Sequence, residues 1–335
     1  MKVTPKALSN LLPAVLRSGL VPMIHGSPGI GKSDIIRATA EAMNLKVVDV
    51  RLSQCDPTDL NGFPSTQGDK ATYKPMDHFL LEGEPLPEGY SGVFIFFDEI
   101  NHAPRAVRKA AYKVLLDKMI GNHKLHEKVF MGAAGNLESD GAAVEPTDTA
   151  LQSRMCHFEL EVSAKDWLEW AQLTKIDHRI TSYIEMRPGS LQLFSPDHND
   201  KTFACPRTWQ DVHKTIAKSE ELEVLLPVIC GSVSEGAGRE FYQFTRVYKD
   251  LPDFKQILAN PMSAHIPDSP SERYALSGVL ADNASAENAT ALLTFVDRLP
   301  VEFQIITVRD MSRRCPAVTS NPKWAQKAVE LSQHM

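Results

Sequence analysis

A parallel α/β sheet followed by an all-helical region is the fold class this sequence predicts, on three observations. Short apolar runs alternate with helical periodicities through residues 20–162, the pattern of strands joined by crossover helices. Residues 93–97 are consecutive large apolar side chains, Val-Phe-Ile-Phe-Phe, as expected of a strand covered on both faces. Strand signals then cease after about residue 162, and helix-like segments follow one another. The expected division is an α/β domain over 1–162, a helical domain over 163–255 and a helical extension over 256–335, with proline-containing breaks near Leu251, Pro261 and Pro270.

At the N-terminus, Leu8, Leu11, Leu12, Val15 and Leu16 fall on one face of an amphipathic helix. Pro13 and Arg17 interrupt this run, which lacks the long apolar centre of a signal peptide. Residues 20–25 read as a buried strand ending at a glycine-rich turn, and 32–43 as a helix with Ile35, Ile36, Ala40 and Met43 inward. A strand over 45–50 precedes a polar, Pro/Gly-rich stretch over 53–90. The apolar strand at 93–97 leads to a helix over about 104–119, a strand over 129–134 and a last strand over 157–162. Residues 164–186, 207–219, 221–231, 235–249, 272–281, 286–298 and 322–333 read as helical, with no internal repeat.

A chain of 335 residues, 43% apolar, can bury a core in more than one domain without disulfides or structural metals. Subtracting 42 acidic from 36 basic residues leaves −6, which argues against wholesale wrapping of nucleic acid. No apolar stretch approaches the ~18 residues of a membrane span, so a cytoplasmic protein is expected. Cys55, Cys156, Cys205, Cys230 and Cys315 are scattered without a CxxC pair and read as reduced, mostly buried thiols. His123 and His126 form an HxxH with no partner to complete a metal site, and read as a solvated loop. Trp167, Trp170, Trp209 and Trp324 all fall in the helical half and read as packing residues.

Residues 26–33 read Gly26-Ser27-Pro28-Gly29-Ile30-Gly31-Lys32-Ser33, matching G-x-x-x-x-G-K-[ST] in full. A chance match in a chain this long has odds of roughly one in a hundred. An apolar strand enters the loop and a helical pattern leaves it, the context a P-loop NTPase core requires. Glycines let backbone N–H groups turn inward around phosphates, and the helix N-terminus adds favourable potential. The expected ligands are ATP and Mg²⁺, with Lys32 on the β- and γ-phosphates and the Ser33 hydroxyl on the metal. The apolar strand ends in Asp98 and Glu99. Asp98 is expected to hold Mg²⁺, usually through its water shell, and Glu99 to polarise the water that attacks the γ-phosphate.

With GSPGIGKS and FFDEIN in place, the sequence resembles the AAA+ ATPases, and within them the MoxR-like branch. Asn136 follows the 129–134 strand at the spacing of the sensor 1 residue, whose amide would bond the attacking water or the γ-phosphate. Ala150-Leu151-Gln152-Ser153-Arg154 is similar to the segment carrying the arginine finger, which implies that Arg154 reaches the nucleotide of a neighbouring subunit. Cys205-Pro206-Arg207-Thr208 is similar to the sensor 2 motif opening a lid helix, implying that Arg207 touches the γ-phosphate in cis. Cys205 stands where small polar residues are commoner. Asp56-Pro57-Thr58-Asp59-Leu60-Asn61-Gly62-Phe63-Pro64 resembles the segment before the helix 2 insertion, and Leu86-Pro87-Glu88-Gly89-Tyr90 and the helical tail with Pro300-Val301-Glu302-Phe303-Gln304 are also similar. The resemblance covers nearly the whole chain, as in small bacterial and phage members. It implies a homo-oligomeric ring, most often a hexamer, in bacterial or phage-infected host cytosol. It also implies a protein client that is remodelled or matured, with a von Willebrand factor A-domain partner.

Arg105, Arg108, Lys109 and Lys113 form a basic stripe, read as a solvated helix face or else an inter-subunit or nucleic-acid contact. The 66–79 stretch with Lys70, Tyr73 and Lys74 reads as a connecting or client-facing loop. Two rival functions fit the same motifs: a nucleic-acid motor or loader, and a nucleotide-gated assembly scaffold with little turnover.

Overall fold

The computed structural model describes residues 1–140, 152–197, 200–219 and 221–333. The chain folds as two compact units, Met1–Val162 with Ser195–His198, and Ser163–Phe194 with Asn199–Met335.

The first unit begins with β1 (Lys2–Val3), α1 (Pro5–Arg17), β2 (Val21–His25), α2 (Lys32–Ala42) and β3 (Leu45–Arg51). Then come α3 (Pro57–Asn61), β4 (Phe63–Gln67), β5 (Lys70–Lys74), β6 (Gly92–Asp98) and α4 (Arg105–Asp117). It closes with β7 (Met119–Ile120), β8 (His123–Lys124), β9 (Val129–Gly135) and β10 (Met155–Leu160). Six strands form a parallel sheet, the five that the sequence predicts with the short β1 added at one edge, in the order β1-β10-β2-β9-β6-β3.

Strand β6 is buried from Gly92 through Phe97, and its alternation divides two cores. Val93, Ile95 and Phe97 pack with Val107, Ala111 and Val114 of α4 on one face. Phe94 and Phe96 pack with Leu8 and Leu12 of α1 and Ile36 of α2 on the other. The sheet is thus sandwiched between helices, which is why β6 can be apolar at successive positions.

Several expectations are corrected in detail. On α1 the inward row is Leu8, Leu12 and Leu16, whereas Leu11 is 42% exposed, because a row at i, i+4, i+8 is the one that faces the sheet. The 66–79 stretch is not a plain loop: β4 and β5 pair antiparallel, and Gly68 at φ 61° makes the tight connection between Gln67 and Lys70. The basic stripe is not one solvated face. Arg108 is buried on α4 and Lys113 donates from Nζ to the Gly121 carbonyl at 2.6 Å, leaving Arg105 and Lys109 exposed. His123 lies on β8 with Nε2 3.0 Å from the Tyr73 carbonyl, and His126 accepts on Nδ1 from the Lys128 N–H, so neither is a bare loop side chain. The five cysteines are free, but only Cys205 is buried; Cys55, Cys156, Cys230 and Cys315 are half-buried.

The second unit contains α5 (Ala164–Leu173), α6 (His178–Met186), α7 (Pro206–Ile216), α8 (Leu222–Val233) and α9 (Glu235–Thr245). It continues with α10 (Phe254–Ala259), α11 (Pro270–Asp282), α12 (Ala289–Val296), α13 (Val301–Arg314) and α14 (Pro322–Ser332). The expected helix over 164–186 is two. Lys175 at φ 58° turns the chain, and the Asp177 carboxylate accepts from the Arg179 N–H to start α6. Helix α13 lies within the expected helical extension and is rich in charged residues. Asp310 and Arg314 are nonetheless buried: Arg309 pairs with Glu185 at 2.9 Å, and Arg314 with Asp282 at 2.8 Å. Apart from Ser195–His198, residues 163–255 and 256–335 both lie in this unit, where α11 packs on α6 and Arg313 donates to Gln172 at 2.7 Å. Trp209 and Trp167 are buried, whereas Trp170 is 40% exposed and is no core residue.

Phe96 is completely buried against α1 and α2. Phe96→Ala should cost about 3–5 kcal/mol through lost transfer energy and the cavity left behind. The check is a lower urea midpoint for the first unit at unchanged slope; an unmoved midpoint would contradict this packing.

Candidate active site

Strand β2 ends at His25, and the chain turns through residues 26–31 into α2. The Gly26 N–H donates to the Gly135 carbonyl at 3.3 Å, which pins the start of the loop to the end of β9. Gly31, the residue before α2, has φ 94°, a left-handed conformation that side-chain-bearing residues avoid. At Gly26 a Cβ would meet Ile30 Cδ1 at 2.6 Å and the Leu160 carbonyl oxygen at 3.1 Å, so the backbone needs glycine here for closeness as well. The first N–H groups of α2 face the loop, and this helix end favours an anion. Ser27 donates from Oγ to Asp140 at 3.3 Å, and Ile30 is buried.

Lys32 opens α2 and is only 9% exposed. Its Nζ donates to the carbonyls of Gly26 at 2.6 Å and Ser27 at 2.9 Å, and to Asn136 Oδ1 at 3.0 Å. An ammonium has three protons, and three oxygens receive them. Ser33 Oγ donates to Asp98 Oδ2 at 2.9 Å, and Asp98 Oδ1 accepts from the Glu99 N–H at 2.9 Å. Glu99 has φ 57° and ψ 35°, a left-handed turn that ends β6 abruptly. Its Oε2 accepts from the Ser53 hydroxyl.

The fold therefore brings Lys32, Ser33, Asp98, Glu99 and Asn136 together at the carboxyl ends of β2, β6 and β9. Arg154 is not among them. It is exposed and immediately precedes β10, whose Met155 pairs with Val21 at the opposite end of β2 from the loop. Arg207 is exposed in the first turn of α7, in the second unit. Ala150 and Leu151, on which part of the arginine-finger resemblance rests, lie outside the described residues. Two residues that touch the cluster escaped the sequence reading. Asn101 lay unused inside FFDEIN, and Ser53 carries no motif at all.

For Mg²⁺ the available donors are a hydroxyl oxygen and a carboxylate oxygen 2.9 Å apart, hard ligands of the type that ion prefers. Among the described residues no group of three or more His, Cys, Asp or Glu gathers to hold a metal. Two protein oxygens suit an ion that shares its ligands with phosphates and water rather than sitting in a protein cage.

Residues 22–160 match the AAA family, ATPases associated with various cellular activities. The chain carries an AAA ATPase domain. Its activity is ATP hydrolysis. Among solved structures the chain is similar to a Cytophaga hutchinsonii protein provisionally described as an ATPase, at 16% identity and a TM-score of 0.37, covering 98% of this chain and 89% of that one. It is also similar to the Thermotoga maritima RuvB Holliday junction branch migration motor, at 14% identity and a TM-score of 0.35, covering 97% of this chain and 85% of that one. No curated protein matches the chain. No described helix is long and apolar enough to cross a membrane.

One titratable pair borders the phosphate loop of the AAA domain. His25 Nε2 lies 3.0 Å from His157 Nδ1, and the two rings stack with centroids 5.3 Å apart. His157 Nε2 is 3.1 Å from the Gln152 carbonyl, which can only accept. His157 therefore carries its proton on Nε2, and His25 donates to its Nδ1. Burial, helped by the positive potential of His157 and Lys32, pushes His25 from 6.5 down to about 4.

An unfolded chain takes up this proton near pH 6.5, whereas the folded chain resists it until about pH 4. The folded form should therefore lose stability as pH falls from 6.5 to 4. His25→Gln, which keeps a donor but cannot titrate, should show a smaller drop in Tm between pH 7 and pH 5. An equal drop in both proteins would remove His25 as the cause.

Proposed function

We propose that this chain is a ring-forming, Mg²⁺-dependent AAA+ ATPase of the MoxR-like type that remodels or matures a protein client. The observation that carries the reading is the convergence of Lys32, the Ser33–Asp98 pair, Glu99 and Asn136 at the end of one glycine-rich loop. Lys32 is already surrounded by oxygens. Phosphate oxygens arriving at the loop can take over those positions without leaving the charge bare. The loop of residues 26–33 cradles the β- and γ-phosphates with the backbone N–H groups that follow Pro28, and Ser33 and Asp98 would hold Mg²⁺. When bound, Mg²⁺ neutralises charge on the phosphate oxygens.

Glu99 then accepts the proton of the attacking water. The Ser53 hydroxyl fixes the direction of its carboxylate, and the Asn136 amide orients the water or the γ-phosphate. Arg154 acts in trans. Its exposure, and its place at the far end of β10 from the loop of its own subunit, support use by a neighbour. Residues 163–255 form the lid that offers Arg207 in cis, and 256–335 form the extension. A hexameric ring, a cytoplasmic setting and a von Willebrand factor A-domain partner come from the resemblance of GSPGIGKS, FFDEIN and the 56–64 segment to MoxR-like proteins.

Glu99→Gln should preserve binding of a fluorescent ATP analogue while lowering phosphate release by at least ~10²-fold. Retained turnover would remove Glu99 as the base, and negligible turnover in the parent would favour a scaffold.

Turnover per subunit should rise steeply with protein concentration, and Arg154→Ala should abolish the rise, at a cost of ~10³-fold in the assembled state. A rate strictly proportional to concentration across the assembly range would rule out a trans arginine.

A further inference from the structure

We propose that Asn101 is a positioning residue for hydrolysis, acting through Asn136. The proposal rests on the role given to Asn136 above and extends it to a side chain with no motif-based role. Asn101 sits in the short 3₁₀ turn Ile100–His102 directly after Glu99 and is 6% exposed. Its Nδ2 donates to the Asn136 carbonyl at 2.7 Å, and its Oδ1 accepts from the Asn136 N–H at 3.2 Å. The orientation of this amide is forced, because a peptide N–H can only donate and a carbonyl can only accept.

Asn136 needs such a partner because the sheet stops short of it. The β6–β9 ladder ends at Phe97 opposite Ala133, and the β2–β9 ladder at His25 opposite Gly135. One residue further on, the Asn101 side chain mimics the missing strand, taking both the main-chain N–H and the carbonyl of Asn136. Gly135 makes the approach possible: a Cβ there would lie 2.7 Å from Asn101 Oδ1 and 2.9 Å from its Cγ.

The result is a two-point clamp between the turn that carries Glu99 and the backbone from which the Asn136 amide projects. The Asn136 Oδ1 meets Lys32 Nζ at 3.0 Å, so the amide is located at both ends. Base and amide are thus held in one frame, and a water placed by one is placed for the other. Loss of the clamp would let Asn136 swing while the loop and Lys32 still grip the nucleotide. Misplacement of a reacting group by about 1 Å can cost ~10²-fold in rate.

The test is a double-mutant cycle on the full chain with Mg-ATP. Asn101→Ala should lower kcat by ~10–100-fold, with affinity for a fluorescent ATP analogue changed less than ~3-fold. In an Asn136→Ala background the same change should lower kcat by less than ~2-fold, since the group it positions is gone. Gly135→Ala, which displaces Asn101 from the other side, should behave like Asn101→Ala. It and Asn101→Ser carry the same cycle if thermal melting shows Asn101→Ala misfolded. Equal losses in both backgrounds would overturn the proposal and mark a general packing role, as would parental kcat in Asn101→Ala or a parallel loss of binding. Parental turnover in Asn136→Ala would instead overturn the role of Asn136 itself, and the clamp's function with it.

Discussion

A buried ammonium cannot be left without oxygens, and Lys32 imposes that condition on the whole first unit. Its acceptors come from the loop that leaves β2 and from the residue that leaves β9. Those two strands must therefore be neighbours with their carboxyl ends level. The order β1-β10-β2-β9-β6-β3 meets this requirement by sending the chain outward from β2 to the β3 edge and back inward. A parallel sheet then gathers every strand's carboxyl end on one edge, where ligands of such sheets bind.

Strand β6 supplies the second half of the site by the same logic. Its residues are buried on both faces, so its tip has little freedom to move. Asp98 stands at that tip and spends one oxygen on Ser33 and the other on the Glu99 N–H. The left-handed Glu99 turns the chain so that its carboxylate meets Ser53 rather than continuing along the strand. A residue with a Cβ in this conformation carries a local strain of order 1 kcal/mol, which the hydrogen bonds around it offset.

Most of the first unit was legible from its residues. Strand β6 announced itself because two-sided burial demands an unbroken apolar run, and the phosphate loop because its glycines sit at fixed offsets from Lys32. Strand and helix ends fell within a residue or two of expectation, as fraying termini allow. Arg108 escaped because a charged side chain in a helical stripe reads as solvated, whereas here it is buried. Burial of Arg314 against Asp282, Thr181 and the Ile176 carbonyl requires partners far away in sequence, which local periodicity does not register. The β4–β5 hairpin escaped because its strands are polar and largely exposed, so no alternation of burial marked them.

The chemistry can be read locally: a loop shaped for phosphate, a carboxylate pair on a buried strand, and the residue types that metal and proton transfer need. Those signals are local, since each depends on neighbours a few positions apart. Which side chains meet depends instead on the folded sheet. Ser53 reaches Glu99 across 46 positions, and Asn101 closes on Asn136 across 35. Hydrogen bonds act over about 3 Å and are indifferent to separation along the chain. Such pairings therefore exist only once the sheet has brought the ends of β3, β6 and β9 side by side.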